Sequence, residues 1–126
     1  MIKPGANEPG DRIGDEVAEV DRERLFRTLR DLADVIDLAR EVTSRTRTAY
    51  DADINLRLAG EAIVTRVGEA VERLPDHFKQ THPEVPWRSI RGARNLTSHD
   101  HHRIDHQIIR LTLERDLPEF DRHLGL

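Results

Sequence analysis

The chain contains no cysteine, which removes disulfide frameworks, thiolate zinc sites and cysteine nucleophiles together. A reducing cytoplasm is therefore the expected location. Lysine is almost missing too: Lys3 and Lys79 are the only two, so 18 of the 20 basic residues are arginine. Aromatics are sparse, with one tryptophan, one tyrosine and three phenylalanines. The longest apolar run is three residues, Ala62-Ile63-Val64, and no membrane span is expected from so short a run. No basic-then-apolar leader opens the chain, so no secretory signal is expected either. A length of 126 residues leaves room for one domain.

What is present is charge, and its distribution is uneven. The net value of −4 argues against a protein coated in basic surface. Residues 1–44 carry 7 basic and 11 acidic side chains, whereas residues 86–126 carry 7 and 6 together with five of the seven histidines. Between Pro86 and Arg110 five arginines face only Asp100 and Asp105. Arginine presents a planar fork suited to phosphate, although solvated helix faces rich in arginine would give the same composition.

The hydrophobic pattern is helical throughout. Residues 1–18 hold Pro4, Gly5, Pro9, Gly10 and Gly14 among polar neighbours and read as a flexible arm, leaving residues 19–126 as the single folded domain. From about Asp21 to about Thr43, Leu25, Leu29, Leu32, Ile36 and Ala39 recur at steps of three and four, the spacing of an amphipathic helix. Phe26, Val35, Leu38 and Val42 widen that face enough for a bundle core and a dimer contact at once. Thr48 and Asp51 resemble a capping signal for a second helix running to about Leu74. Gly60 and Gly68 lie inside it; each costs about 1 kcal/mol against alanine, and close helix approach is the expected return. Pro75 permits a short turn through Phe78. A third helix is predicted from Pro86-Trp87 to near His99. A fourth begins near Ile104 and uses Ile104, Ile108, Leu111 and Leu113 before a last turn around Pro118, Phe120 and Leu124. No segment alternates with period two. The pattern predicts an all-α antiparallel bundle of four main helices with short extras, in which Trp87 and Phe120 anchor the core or an interface.

The densest chemistry lies between Trp87 and His102. No phosphate-binding glycine loop, serine elbow or HExxH helix occurs, so arginine, histidine and amide groups remain. A guanidinium can hold a phosphate and offset charge on its oxygens, and an imidazole with an ordinary pKa of about 6.5 can move a proton near neutrality. With RNA the attacking group is the substrate's own 2′-hydroxyl. Arg94 and His99 are five residues apart, roughly 140° around an ideal helix, so they diverge unless the helix ends between them or a second copy completes the site. Arg91, Asn95 and His99 follow i, i+4 steps and share a face. The same residues also fit a purely structural role, Arg94 paired with a carboxylate and His99 at a helix C-terminus.

Pro86-Trp87-Arg88-Ser89-Ile90, Arg94-Asn95-Leu96-Thr97-Ser98-His99, Ile104-Asp105 and Asp116-Leu117-Pro118 resemble, in order, the HepT-like branch of the HEPN superfamily. Val67-Gly68-Glu69-Ala70 and Pro83-Glu84-Val85-Pro86-Trp87 are similar to that branch as well. Together the matches cover about Asp53 to Phe120. The Arg-x4-His spacing is weak alone and specific in this company. The resemblance implies a HEPN-like bundle that dimerises and gathers Arg-x4-His motifs from two copies around one cleft. It implies a metal-independent endoribonuclease without cofactor, with Arg94 and His99 as the catalytic pair, Asn95 as polar neighbour, and Arg91 and His101 as supporting or substrate-binding residues. It further implies an RNA substrate and an MNT-type nucleotidyltransferase antitoxin as partner. Glu69 matches a family position and is expected to be structural, as a buried or interface-bonded carboxylate.

The chain departs from this pattern at one position. Many relatives continue the motif as His-x-Tyr, with the tyrosine accepting AMP from the antitoxin; here that position is His101, and the only tyrosine is Tyr50. Two other function classes remain open at this point. His99, Asp100, His101, His102, Asp105 and His106 have spacings that suit a divalent metal. A HEPN dimer without activity, serving as a nucleotide-binding or protein-interaction module, is the other.

Overall fold

A computed structural model describes the backbone of residues 9–95 and 104–126, and side chains within 18–92 and 104–126. Among these residues every element is helical. The order is α1 (Pro9–Thr43), α2 (Arg47–Ala52), α3 (Ile54–Arg73), α4 (Asp76–Gln80), α5 (Trp87–Asn95), α6 (His106–Leu111), a π-helical segment (Thr112–Asp116) and α7 (Leu117–Leu124).

The predicted apolar row of α1 forms its core face. Leu32, Val35, Ile36, Ala39 and Val42 are buried, with Leu25 and Leu29 packed against them. The helical backbone starts at Pro9, earlier than the row of core residues, so residues 9–18 of the expected arm are helical; proline fits a first helical position, where its missing N–H would be unpaired anyway. Residues 1–8 of the expected arm lie outside the described residues. Phe26 and Leu38 remain exposed, at 65% and 45%, so the widened face is only partly used within the chain.

The stretch expected as one second helix is two. Thr46, not Thr48, is the cap of α2, its hydroxyl accepting from the Ala49 N–H at 3.0 Å. Asp53 then adopts extended backbone and accepts from the Asn55 N–H at 2.8 Å, starting α3 afresh. Each carboxylate or hydroxyl satisfies an amide that a helix leaves unpaired, and the two caps reorient the chain within a few residues. α3 runs antiparallel to α1, with Asp31 paired to Arg73 at one end and Val42 beside Ala59 and Ile63 at the other. Ile63, Val64, Val67, Ala70 and Val71 of α3, together with Leu74 just after it, supply the centre of the core.

Gly60 marks a close approach. A Cβ built there would sit 2.8 Å from the Tyr50 hydroxyl and 3.2 Å from Ile109 Cγ2. Tyr50 is wholly buried, and its hydroxyl has no hydrogen-bond partner among the described residues. The absence of a side chain at Gly60 is what lets this phenol fit between α3 and α6.

From His106 to Leu124 the chain is one helical path with a wide turn inside it. Pro118 stands in the first turn of α7; it has no N–H for the carbonyl four residues back, and its ring presses on that carbonyl. The π-helical segment absorbs the conflict: the Leu117 N–H donates five residues back, to the Thr112 carbonyl. The wider turn keeps Ile109, Leu113, Leu117 and Phe120 all in the core. Ile108 and Leu111, expected to face inward, are exposed instead; the helix turns Ile109 and Thr112 inward because Arg110 is buried beside them.

Arg110 is the buried charge of the fold, 3% exposed. Its guanidinium donates to the carbonyls of Val42 (3.3 Å), Thr43 (3.4 Å) and Arg45 (2.6 Å), where α1 ends. It lies 5.2 Å from the Tyr50 ring centroid and pairs with Glu114. Glu114 also accepts from Arg47 at 2.7 Å, so one carboxylate joins α2 to the π-helical segment. Hydrogen bonds from Arg47 and then Arg110 hold the Glu114 carboxyl at about 2, against an ordinary 4.5.

Two predictions follow from these contacts. A carboxylate with a depressed folded-state pKa contributes stability above its unfolded pKa and loses it as pH falls through the folded value. The Tm difference between wild type and Arg47→Gln is therefore expected to be largest above pH 4.5 and to vanish toward pH 2; a difference independent of pH would remove Glu114 from the network. Separately, Gly60→Ala is expected to destabilise by about 1–3 kcal/mol through overpacking despite alanine's better helix propensity. Tyr50→Phe removes an unpaired buried hydroxyl and should be neutral or stabilising by about 1 kcal/mol. In urea unfolding the double variant should recover part of the Gly60→Ala loss; strict additivity would refute the contact.

Candidate functional site

The site is built on α5, and α5 is held by its first turn. The Trp87 indole N–H donates to the carbonyls of Lys79 (3.2 Å) and His82 (3.0 Å), satisfying a polar handle that burial would otherwise penalise. Its ring meets Phe120 edge-to-face, with centroids 5.6 Å apart. Ile90, one turn on, is buried against the core, and its N–H donates to the Pro86 carbonyl at 3.2 Å. Phe120 is thus a core residue and Trp87, half-buried, packs against the core, and together they fix which side of α5 faces out.

The outward side carries Arg88, Arg91 and Gly92, all exposed. Among the described residues neither arginine pairs with a carboxylate, and the first turn of α5 holds no acidic side chain. Beside them is a concavity of about 140 Å³ lined by Val71, Lys79, Trp87, Arg88 and Arg91. A Cβ at Gly92 would meet nothing within 4 Å, so the chain itself gives no packing reason for a glycine there.

Arg94 and Asn95 are the last described residues of α5. Helical register sets Asn95 one turn beyond Arg91, as expected, and Arg94 one turn beyond the buried Ile90. His99 and His101 lie outside the described residues, and with them the geometry of the Arg94–His99 pair and the predicted reach of this helix to His99. Of the suggested metal ligands, Asp105 and His106 are described. Asp105 is the N-cap of α6, accepting from the N–H groups of Gln107 (3.0 Å) and Ile108 (3.3 Å). His106 Nδ1 is buried without a partner among the described residues. His99, Asp100, His101 and His102 lie outside them.

Of the two roles expected for Glu69, burial within the chain is not seen. It is exposed and lines a groove between α1 and α3 with Asp31, Asp34, Arg66 and Arg73. It is not buried within the chain, since the inward positions of this part of α3 are taken by Val67, Ala70 and Val71. Lys79 is the residue that the sequence reading missed. It precedes Trp87 by eight positions with Pro83 and Pro86 between, and no periodicity links the two; only the closure of the α4–α5 loop brings its stem to the α5 surface. Among the described residues no helix is long and apolar enough to cross a membrane.

A family model of HepT-like ribonucleases matches residues 32–125. The chain belongs to the HepT-like ribonuclease family. The match includes the core face of α1 as well as α3, α5 and the Arg94–His99 segment. Among individual relatives, a protein named probable ribonuclease HepT from Thermococcus cleftensis is 30% identical over 91 residues, 71% of this chain and 83% of that protein. A provisionally named RNase from Caldanaerobacter subterraneus subsp. tengcongensis is 34% identical over 58 residues, 46% of this chain. This chain spans only 52% of that relative's length. A provisionally named RNase from Methanocaldococcus jannaschii is 26% identical over 99 residues, 75% of this chain and 91% of that protein. No solved structure matches the chain.

Proposed function

We propose that this HepT-like chain is a metal-independent endoribonuclease, the toxin half of a toxin–antitoxin pair, acting in the cytoplasm. The observation that carries the reading is the family match across residues 32–125, a span that contains Arg94, Asn95 and His99. The reaction is transesterification. The His99 imidazole takes the 2′-hydroxyl proton, the 2′-oxygen bonds to phosphorus, the P–O5′ bond breaks, and the leaving 5′-oxygen is protonated. Arg94 offsets the charge that develops on the phosphoryl oxygens, and Asn95 and Arg91 orient the substrate. Neither metal nor cofactor takes part.

The cleft is shared between two copies. Support comes from the apolar side chains that the single chain leaves in water: Phe26 and Leu38 on α1, and Ile54 and Leu58 on α3. Patches of this kind mark association surfaces in soluble proteins. Control falls to an MNT-type nucleotidyltransferase that covers the cleft. A histidine at position 101 would give a phosphoramidate on adenylylation, which hydrolyses more readily than a tyrosine phosphodiester, so inhibition rests chiefly on binding. Tyr50 offers no substitute acceptor, being wholly buried.

Purified wild type incubated with total RNA is expected to give fragments ending in 2′,3′-cyclic phosphate and 5′-hydroxyl, while Arg94→Ala and His99→Ala give none. Equal cleavage by all three proteins, or products with 3′-hydroxyl ends, would refute the assignment. On co-expression with a candidate antitoxin, intact mass measured without acid is expected to stay unmodified. Whole AMP units on the peptide holding residues 94–106 would overturn the binding mode of control.

A further inference from the structure

We infer that the concavity at the start of α5 is a phosphate subsite for the RNA strand flanking the cleavage point, with Lys79, Arg88 and Arg91 as its donors. The inference rests on the ribonuclease reading and adds the path of the substrate to it. Three cations line one small hollow, and no carboxylate lines it with them. None of the three pairs with an acid among the described residues. Cations that converge without counter-charge repel one another, and an anion between them relieves that repulsion. Elsewhere Arg40, Arg47, Arg73, Arg110, Arg115 and Arg122 each have an acidic partner.

The donors are also well placed in the fold. Trp87 fixes the backbone on both sides of the hollow, because its indole bonds the Lys79 carbonyl while Arg88 follows it in α5. The row Arg88, Arg91, Gly92 and Asn95 follows helical steps of three and four along one side of α5, leading from the hollow to the motif. Gly92 keeps that row low where the strand passes, which accounts for a helix-interior glycine with open space above it. The first turn, which itself holds no acidic residue, adds the positive end of the helix dipole.

The size of the hollow selects the ligand. A volume of about 140 Å³ gives room for a small group such as a phosphate beside Trp87. Arginine forks match phosphate oxygens in pairs, so a nucleic-acid strand is favoured over an acidic protein surface.

The test uses a short single-stranded oligonucleotide lacking 2′-hydroxyls, which transesterification cannot cut, so binding is scored independently of cleavage. Trp87 is the only tryptophan, and its fluorescence reports occupancy of the hollow directly. Wild type is expected to show quenching, and affinity that falls with salt. The double variant Lys79→Gln/Arg88→Gln should lose the quenching and reduce the slope of log K against log salt by about 1.4, at about 0.7 per phosphate contact on a single strand. With cleavable RNA it should raise KM and leave kcat unchanged. Lys79→Arg/Arg88→Lys should restore the slope, and Arg30→Gln/Arg115→Gln, which removes equal charge elsewhere, should not alter it. An unchanged slope and unchanged quenching in the Gln double variant would overturn the subsite even if wild type cuts RNA. Quenching by polyglutamate as strong as by the oligonucleotide would also overturn it, in favour of an acidic protein ligand. Loss of oligonucleotide binding in the double variant of a protein that cuts no RNA would retain the subsite and reject the nuclease reading.

Discussion

A guanidinium buried in a helical bundle must find acceptors, and in this chain the search decides how the bundle closes. Arg110 finds them at the end of α1, where the last carbonyls of any helix lack intrahelical partners. The carbonyls of Val42 and Thr43 in the last turn, that of Arg45 two residues beyond it, and Glu114 take its donors, so the cost of burying the charge is offset by acceptors gathered where α1 ends. The same contact sets the orientation of α6, since turning Arg110 inward carries Ile109 and Leu113 into the core and leaves Ile108 and Leu111 in water. Breaking such a buried pair by removing one partner typically costs about 3–5 kcal/mol. The Tyr50 ring beside the guanidinium and the missing side chain at Gly60 complete one connected arrangement of α1, α2, α3 and α6.

The candidate helix α5 is positioned by a second set of contacts. α5 packs on α3 and touches the π-helical segment, and its first turn is tied down by Trp87 against Phe120. Pro118 forces the wide turn that brings Phe120 to this place, so the Asp116-Leu117-Pro118 motif and Trp87, far apart in sequence, serve one contact. A cationic row on a short helix is precise only if the helix cannot roll, and the aromatic pair with the buried Ile90 prevents rolling. Among the described residues, what α5 presents to solvent is Arg88 and Arg91 without a carboxylate partner.

The helical class, the core rows of α1 and α3 and the anchoring role of Trp87 and Phe120 were legible in the sequence, because amphipathic spacing directly records which side of a helix leaves water. The family was legible in the order of short motifs around Arg94 and His99. The break at Asp53 was not, since an aspartate inside a helical pattern carries no mark that says whether its side chain caps a new helix or points to solvent. Neither was the inward turn of Arg110. A charged residue reads as exposed by default, and its acceptors are the carbonyls at the end of α1, 65 to 68 positions upstream. For Glu69 the motif left burial and an interface bond both open, and its register in α3 leaves it exposed within the chain.

The sequence by itself determined the fold class, the family and the chemical kit of arginine, histidine and amide, because residue types and helical periods are local properties. Only the tertiary structure decided which carbonyls receive Arg110, why Gly60 must lack a side chain, and that Lys79 joins Arg88 and Arg91 around one hollow. Those facts depend on distances between segments that no period connects, and such distances are set only when the whole core packs at once.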